Sequence, residues 1–210
     1  MKQFIIVLKD YPKSERFYLD ASRTAKEHGW DLERYDAVDA RTINFDQELK
    51  NRGLFVSEHT KKNILPGQIV ENLRPGVIGC FLSHYSLWQR CIESNETIAI
   101  FEEDVVFVDS LPTEDFVDVL KLRQGTRAKN IVLTGQWWVG ADCYLIKPHA
   151  ARKIIDWCAV NGIVPADLLL AENIVNIQHV AKDCCRLHPE EHLNYPLNSL
   201  TWKKNKNLLS

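Results

Sequence analysis

Short apolar runs alternate with amphipathic stretches along the first half of the chain. Residues 4–8 (FIIVL) form an apolar run of strand length. A loop with Pro12 follows, and Ser14 is placed to cap a helix over 15–28 that Gly29 stops. Residues 32–38 read as a second strand. This β-α-β opening predicts an α/β protein with a parallel sheet. Residues 39–76 are weakly periodic and end in ILPGQIVENLRPG, which predicts a loop-rich segment, a candidate flap. Phe81, Tyr85, Trp88 and Ile92 then recur at i, i+4, i+7 and i+11, the spacing of an amphipathic helix, with His84 at the stripe's edge. Residues 97–101 read as a central strand. Further along, the pattern predicts a helix over 114–122, strands over 130–133 and 143–146, and a helix over 149–160 behind Pro148. Another helical stretch is expected from Pro165.

The central strand raises a chemical question, because its apolar run continues directly into Glu102, Glu103 and Asp104. Charges in an apolar setting are costly unless paired or bound to a metal. In extended geometry Glu102 and Asp104 point one way and Glu103 the other. Two carboxylates at the carboxyl end of a strand suit a divalent ion such as Mg²⁺ or Mn²⁺ bridging to a diphosphate. A solvated acidic turn is the competing reading.

Composition narrows the classes. The 210 residues are 45% hydrophobic and 26% charged, with a formal net charge of -2. That balance fits one soluble globular domain and gives no broadly basic surface for nucleic acid. No apolar run approaches the roughly 18–20 residues of a membrane span. The N-terminal apolar stretch is shorter than the about 7–15 residues of a signal-peptide core, so a cytoplasmic protein is expected. Lys203, Lys204 and Lys206 leave open a weak peripheral contact with an anionic membrane; a solvated tail is the plainer reading. Oligomeric state is not readable. Most of the six cysteines are expected to be buried thiols. Cys184, Cys185, His188 and His192 form one metal-like grouping, without C-x-x-C spacing. No G-x-G-x-x-G turn follows the first strand, and no G-x-S-x-G elbow surrounds Ser83 and His84, which argues against a dinucleotide fingerprint and a serine triad.

The segment GCFLSHYSLWQRCIESNETIAIFEED, residues 79–104, resembles glycosyltransferase family 25, in which a G-C-x-x-S-H helix precedes a strand ending in E-D-D. FIIVLKDYPKSER, YDAVDART, GADCYLIKPHAARKII and PADLLL resemble further elements of that family in the same order, between about residues 4 and 170. Two positions depart from the pattern: Glu103 stands where the central aspartate is usual, and Ala40 where glycine is usual. The resemblance implies a GT-A-like, Rossmann-like single domain over 1–200, with a mostly parallel central sheet flanked by helices, followed by a basic polar tail over 201–210. It implies transfer of a sugar, galactose being the expected one, from a UDP-sugar to a glycan or other hydroxyl acceptor with inversion. In that reading Glu102 and Asp104 hold the Mn²⁺ or Mg²⁺ ion. Arg16, Asp39, Ser83, His84 and Asp104 line the donor site, and Asp167 with Glu102 carries the chemistry. His188 or His192 is a candidate late ligand, and Trp137 and Trp138 are candidates for stacking on the acceptor sugar or for plain packing. A non-catalytic nucleotide- or glycan-binding member and a nucleotide-sugar hydrolase are the alternatives.

Overall fold

The computed structural model describes residues 1–39, 41–57, 75–124, 127–130, 135–138 and 140–190, the two short segments 127–130 and 135–138 by their strand pairing. Ala40, most of the expected flap, the predicted strand beyond Asn130, His192, the tail, and the side chains of Trp137 and Trp138 lie outside that description.

β1 (Lys2–Val7) and β2 (Leu32–Asp36) flank α1 (Pro12–Glu27) as the predicted β-α-β unit. Pro12 fixes the first helical turn, so α1 begins earlier than a Ser14 cap would allow. Ser14 instead sits inside the helix and its Oγ accepts the Leu8 N–H at 2.8 Å. At the other end Gly29 takes φ +77°, and the Trp30 N–H reaches the Ala25 carbonyl at 2.9 Å, closing the helix.

β3 (Ile98–Glu102) follows α3 (Pro75–Ser94), and β8 (Cys143–Ile146) precedes α4 (Pro148–Asn161). The central sheet has the order β2-β1-β3-β8-β5-β9, with β5 at Val119–Lys121 and β9 at Ile177–His179. β2, β1 and β3 are parallel, β8 opposes both of its neighbours, and β9 is parallel to β5. Five strands therefore run one way and β8 alone runs against them. The result is a Rossmann-like α/β fold with a mostly parallel sheet. β4 (Val105–Phe107) pairs with β10 (Cys185–Leu187), and β6 (Arg127–Asn130) with β7 (Gly135–Trp138), as two separate ribbons.

The pleat divides the core. Phe4, Ile6, Ile98, Ile100, Tyr144 and Ile146 face α3 and α4. Ile5, Val7, Ala99, Phe101, Cys143 and Leu145 face α1. Both faces are covered, which is why these strands read as continuous apolar runs.

Three predicted elements need correction. Residues 114–122 are not a helix: their last part is β5, whose three residues are all buried between β8 and β9. The spacing of Phe116, Val119 and Leu120 imitates a helical face, and sheet pairing overrides it. The stretch after Pro165 is only a four-residue helix, α5 (Ala166–Leu169). Within the weakly periodic region lies α2 (Phe45–Asn51), capped by the Asn44 side chain on the Gln47 N–H. Among the described residues, no helix is long and apolar enough to cross a membrane.

Candidate functional site

The five co-directional strands bring their carboxyl ends to one edge of the sheet, and the opposed β8 begins there. In sheets of this kind that edge is where ligands bind. It gathers Asp36, Glu102, Lys121 and His179 as the last residues of β2, β3, β5 and β9, together with Asp142, which leads into β8.

Glu102 is the last residue of β3 and lies on the α3 face, in line with Ile98 and Ile100. Its Oε1 is 3.2 Å from His84 Nε2 and 3.6 Å from Cys80 Sγ. Its side chain is 30% exposed, so it marks the boundary between core and edge. His84 is fully buried, and its Nδ1 lies 2.9 Å from the Tyr144 hydroxyl. That hydroxyl also accepts the Trp88 Nε1–H at 2.9 Å. One tautomer satisfies the whole chain: Tyr144 donates to Nδ1, and Nε2–H donates to the Glu102 carboxylate. Three buried aromatic side chains thus hold one half-exposed carboxylate in a fixed rotamer. Burial, then the charges of Glu102 and Asp167, push the Cys80 thiol well up.

The acidic triplet is not extended. β3 stops at Glu102, and Glu103 and Asp104 form a turn before β4, so the inference that Glu102 and Asp104 share a strand face is replaced by a bend. Glu103 faces α1 and bonds with Ser14. Burial pushes its carboxyl up to about 7, the Glu102 charge adds to this, and Ser14 and Lys13 oppose it. Asp104 is half-buried in the turn, and its carbonyl accepts the His188 N–H at 2.6 Å.

Asp167 lies in the first turn of α5, and the Glu102 and Lys121 charges both act on it. Burial, reinforced by Glu102, raises its carboxyl to about 6. Beside it is an ion cluster that the sequence reading did not single out. Lys121 is 1% exposed and Asp142 3% exposed. Lys121 donates to the Gly140 carbonyl and stands 3.8 Å from Asp142 Oδ1, while Arg123 Nε donates to Asp142 Oδ2. Burial alone would raise the Asp142 carboxyl, but Lys121 and Arg123 outweigh it and hold it low. The Asp104 charge also acts on Arg123, which ties the turn to this cluster. At Gly140 a side chain would meet Asp142 Oδ1 at 2.6 Å, so the close approach there requires glycine.

The other predicted donor-site residues fall into two groups. Ser83 is fully buried; it donates to the Gly79 carbonyl at 2.7 Å and accepts the Val38 N–H at 2.9 Å. It therefore ties the segment after β2 to α3. Asp39, at that segment's end, is paired with Arg41, whose guanidinium keeps its carboxyl low. Arg16 lies on α1 in a two-pronged pair with Glu190, the last described residue. The His188 ring stacks on Phe17 at 4.3 Å between centroids and faces Asp20 at 3.4 Å. Only its backbone reaches Asp104. All six cysteines are free thiols. Among the described residues the metal-ligand atoms that converge are not those of Cys184, Cys185 and His188. They belong to Cys80, His84 and Glu102, all within 4.8 Å of one another.

Similarity to known proteins follows the same stretch of chain. The family model described as glycosyltransferase family 25 (LPS biosynthesis protein) matches residues 1–118, which carry β1 through β4 and the Cys80–His84–Glu102 grouping. A glycosyltransferase 25 family member of Aedes aegypti is 27% identical over 167 residues, 67% of this chain and 26% of that protein. A probable inactive glycosyltransferase 25 family member 3 of Rattus norvegicus is 35% identical over 80 residues, 36% of this chain and 12% of that protein. The lipooligosaccharide biosynthesis protein lex-1 of Haemophilus influenzae is 25% identical over 139 residues, 51% of this chain and 46% of that protein. The chain thus spans less than half the length of each of these relatives. With more than half of its own 210 residues matched by the family model, and the acid-ended strand inside that match, the chain belongs to glycosyltransferase family 25.

Proposed function

We propose that this domain transfers a sugar, galactose first among the candidates, from a UDP-sugar to an acceptor hydroxyl with inversion. One observation carries the reading. Two carboxylates from distant segments, Glu102 at the end of β3 and Asp167 at the start of α5, are close enough at the ligand-binding edge for the charge of one to raise the other.

Each residue's part follows from its surroundings. The Asp167 carboxyl, raised to about 6, is ionised at neutral pH yet more basic than an ordinary aspartate. It takes the acceptor proton as the hydroxyl oxygen bonds to the anomeric carbon and the bond to the diphosphate breaks, its electron pair leaving with the diphosphate. Glu102 holds its orientation through His84 and Tyr144. Among the described residues both contacts on its carboxylate fall on Oε1, so Oε2 is the oxygen offered to the open edge. That oxygen and the Asp104 carboxylate, in the turn that follows, would hold a hard divalent ion, Mg²⁺ or Mn²⁺. Such an ion, when bound, supplies charge stabilisation to the departing diphosphate. Lys121 at the end of β5 and Arg123 just beyond it, two cations sharing Asp142, add net positive charge at the same edge.

A second reading, a member that binds a nucleotide or glycan without turnover, is favoured by the placement of Glu103. The middle acid of the triplet is turned to α1, away from Glu102. The mammalian relatives named inactive keep this reading in view. Calorimetric titration of UDP with and without Mn²⁺, on the wild type and Asp104→Asn, tests the site. Mn²⁺-dependent binding that disappears in the variant, together with turnover of UDP-galactose, is the expected result. Binding without turnover of any UDP-sugar selects the second reading, and absence of UDP binding under every metal condition refutes the UDP-donor site.

A further inference from the structure

We propose that Cys80, His84 and Glu102 form a binding site for a zinc-class divalent ion. Cys80 and His84 are four residues apart on α3, so their side chains sit one helical turn apart on the same face. Glu102 reaches that face from the end of β3.

The separations are those of a tetrahedral ion. Bonds of about 2.3 Å to sulfur and about 2.0–2.1 Å to nitrogen and oxygen place the donors about 3.6 Å apart for sulfur and oxygen, and about 3.3 Å apart for nitrogen and oxygen. The structure has Cys80 Sγ to Glu102 Oε1 at 3.6 Å and His84 Nε2 to the same oxygen at 3.2 Å. The remaining pair, Cys80 and His84, is within 4.8 Å and has to close by no more than about 1.2 Å.

A thiolate and an imidazole select a softer ion than Mg²⁺ or Mn²⁺, and zinc is the commonest ion for such a set. The imidazole is also supported in the way metal-bound histidines are. Its far nitrogen, Nδ1, faces the Tyr144 hydroxyl at 2.9 Å, which Trp88 anchors in turn. Metal at Nε2 moves the ring proton to Nδ1, where the phenol oxygen accepts it. Glu102 is partly exposed, so a fourth position faces the edge and is open to water or a ligand group.

The site needs no transfer reaction, and its occupancy is read without turnover. Its effect on the enzyme does rest on the function proposed above: zinc on Oε1 draws charge from the same carboxylate whose Oε2 would hold the donor-site ion, and so inhibits. The probe is Co²⁺, a spectroscopic stand-in for zinc, titrated into the full chain. One equivalent should produce a thiolate-to-cobalt charge-transfer band in the near ultraviolet, and Zn²⁺ should displace it. Cys80→Ser should lose the band, Cys184→Ser should keep it, and Glu102→Gln should keep it with at least tenfold weaker binding. Far-UV circular dichroism checks that each variant is folded. A band that survives Cys80→Ser, or no stoichiometric binding of Co²⁺ or Zn²⁺ to the wild type, overturns the proposal, whether or not the protein transfers sugar.

Discussion

Glu102, the last residue of β3, and Glu103, the first of the turn after it, point to opposite sides of the central sheet. Glu102 meets Cys80 and His84 of α3, whereas Glu103 meets Ser14 of α1. Their carboxyls consequently behave differently, and the difference is measurable.

The Glu103 carboxyl has a folded pKa of about 7, above its value of about 4.3 in an unfolded chain. Between these values the folded protein binds more protons than the unfolded one, so stability falls as pH rises through that window. Glu103→Gln should remove this dependence and gain stability relative to the wild type at pH 8, by on the order of 1–3 kcal/mol. Urea unfolding at pH 5 and pH 8 checks it; an equal effect of the substitution at both pH values contradicts the assignment.

Asp142 should give the opposite slope. Lys121 and Arg123 hold its carboxyl low, so its stabilising contribution is present above the unfolded pKa and is lost as pH falls through the folded value. Asp142→Asn leaves the Lys121 ammonium buried without its counter-charge and should cost about 3–5 kcal/mol at neutral pH. The loss should shrink on acidification, read from chemical unfolding curves at several pH values.

Tyr144→Phe removes the hydroxyl between Trp88 and His84 while keeping the ring. Two buried polar groups then lose their partner, at a cost of about 1–3 kcal/mol. Thermal unfolding should show the loss. Because His84 is then held less firmly, binding at Glu102 should weaken as well.

Asp167→Asn should lower sugar transfer by at least about 100-fold, the usual loss for a general base. In the wild type the rate should rise with pH, with a midpoint near 6, as the carboxyl ionises. Carboxyl-carbon NMR follows the same titration without turnover, and Glu102→Gln should move the midpoint down, since the Glu102 charge helps to raise it. An unshifted midpoint would separate the two residues.

What was legible in the chain was whatever its local pattern dictates. The β-α-β opening, the Tyr85–Trp88 helix face and the acid-ended strand are set by residues near one another, and they stand as read. The misread segment, 114–122, becomes a strand only because β8 and β9 flank it. The site divides in the same way. Glu102, His84 and Asp167 were named as candidates, the first from the acid-ended strand and the other two from motifs shared with the family. Lys121 and Asp142 were not, because the first hides in an apolar run and the second precedes a strand that enters the edge instead of leaving it. Cys80 and His84 did carry a signal, their four-residue spacing, but its third member comes from another element.

The pleat of β3 has one more consequence. Since Glu102 and Glu103 are the same residue type, a one-residue slip of β3 against β1 would still present a glutamate to α3. Chemistry at that position could not detect the error. The strand could, because the slip would exchange Ile98 and Ile100 with Ala99 and Phe101 between two differently shaped cores. Proofreading of which glutamate serves the site therefore lies in four apolar side chains upstream, all buried in the core.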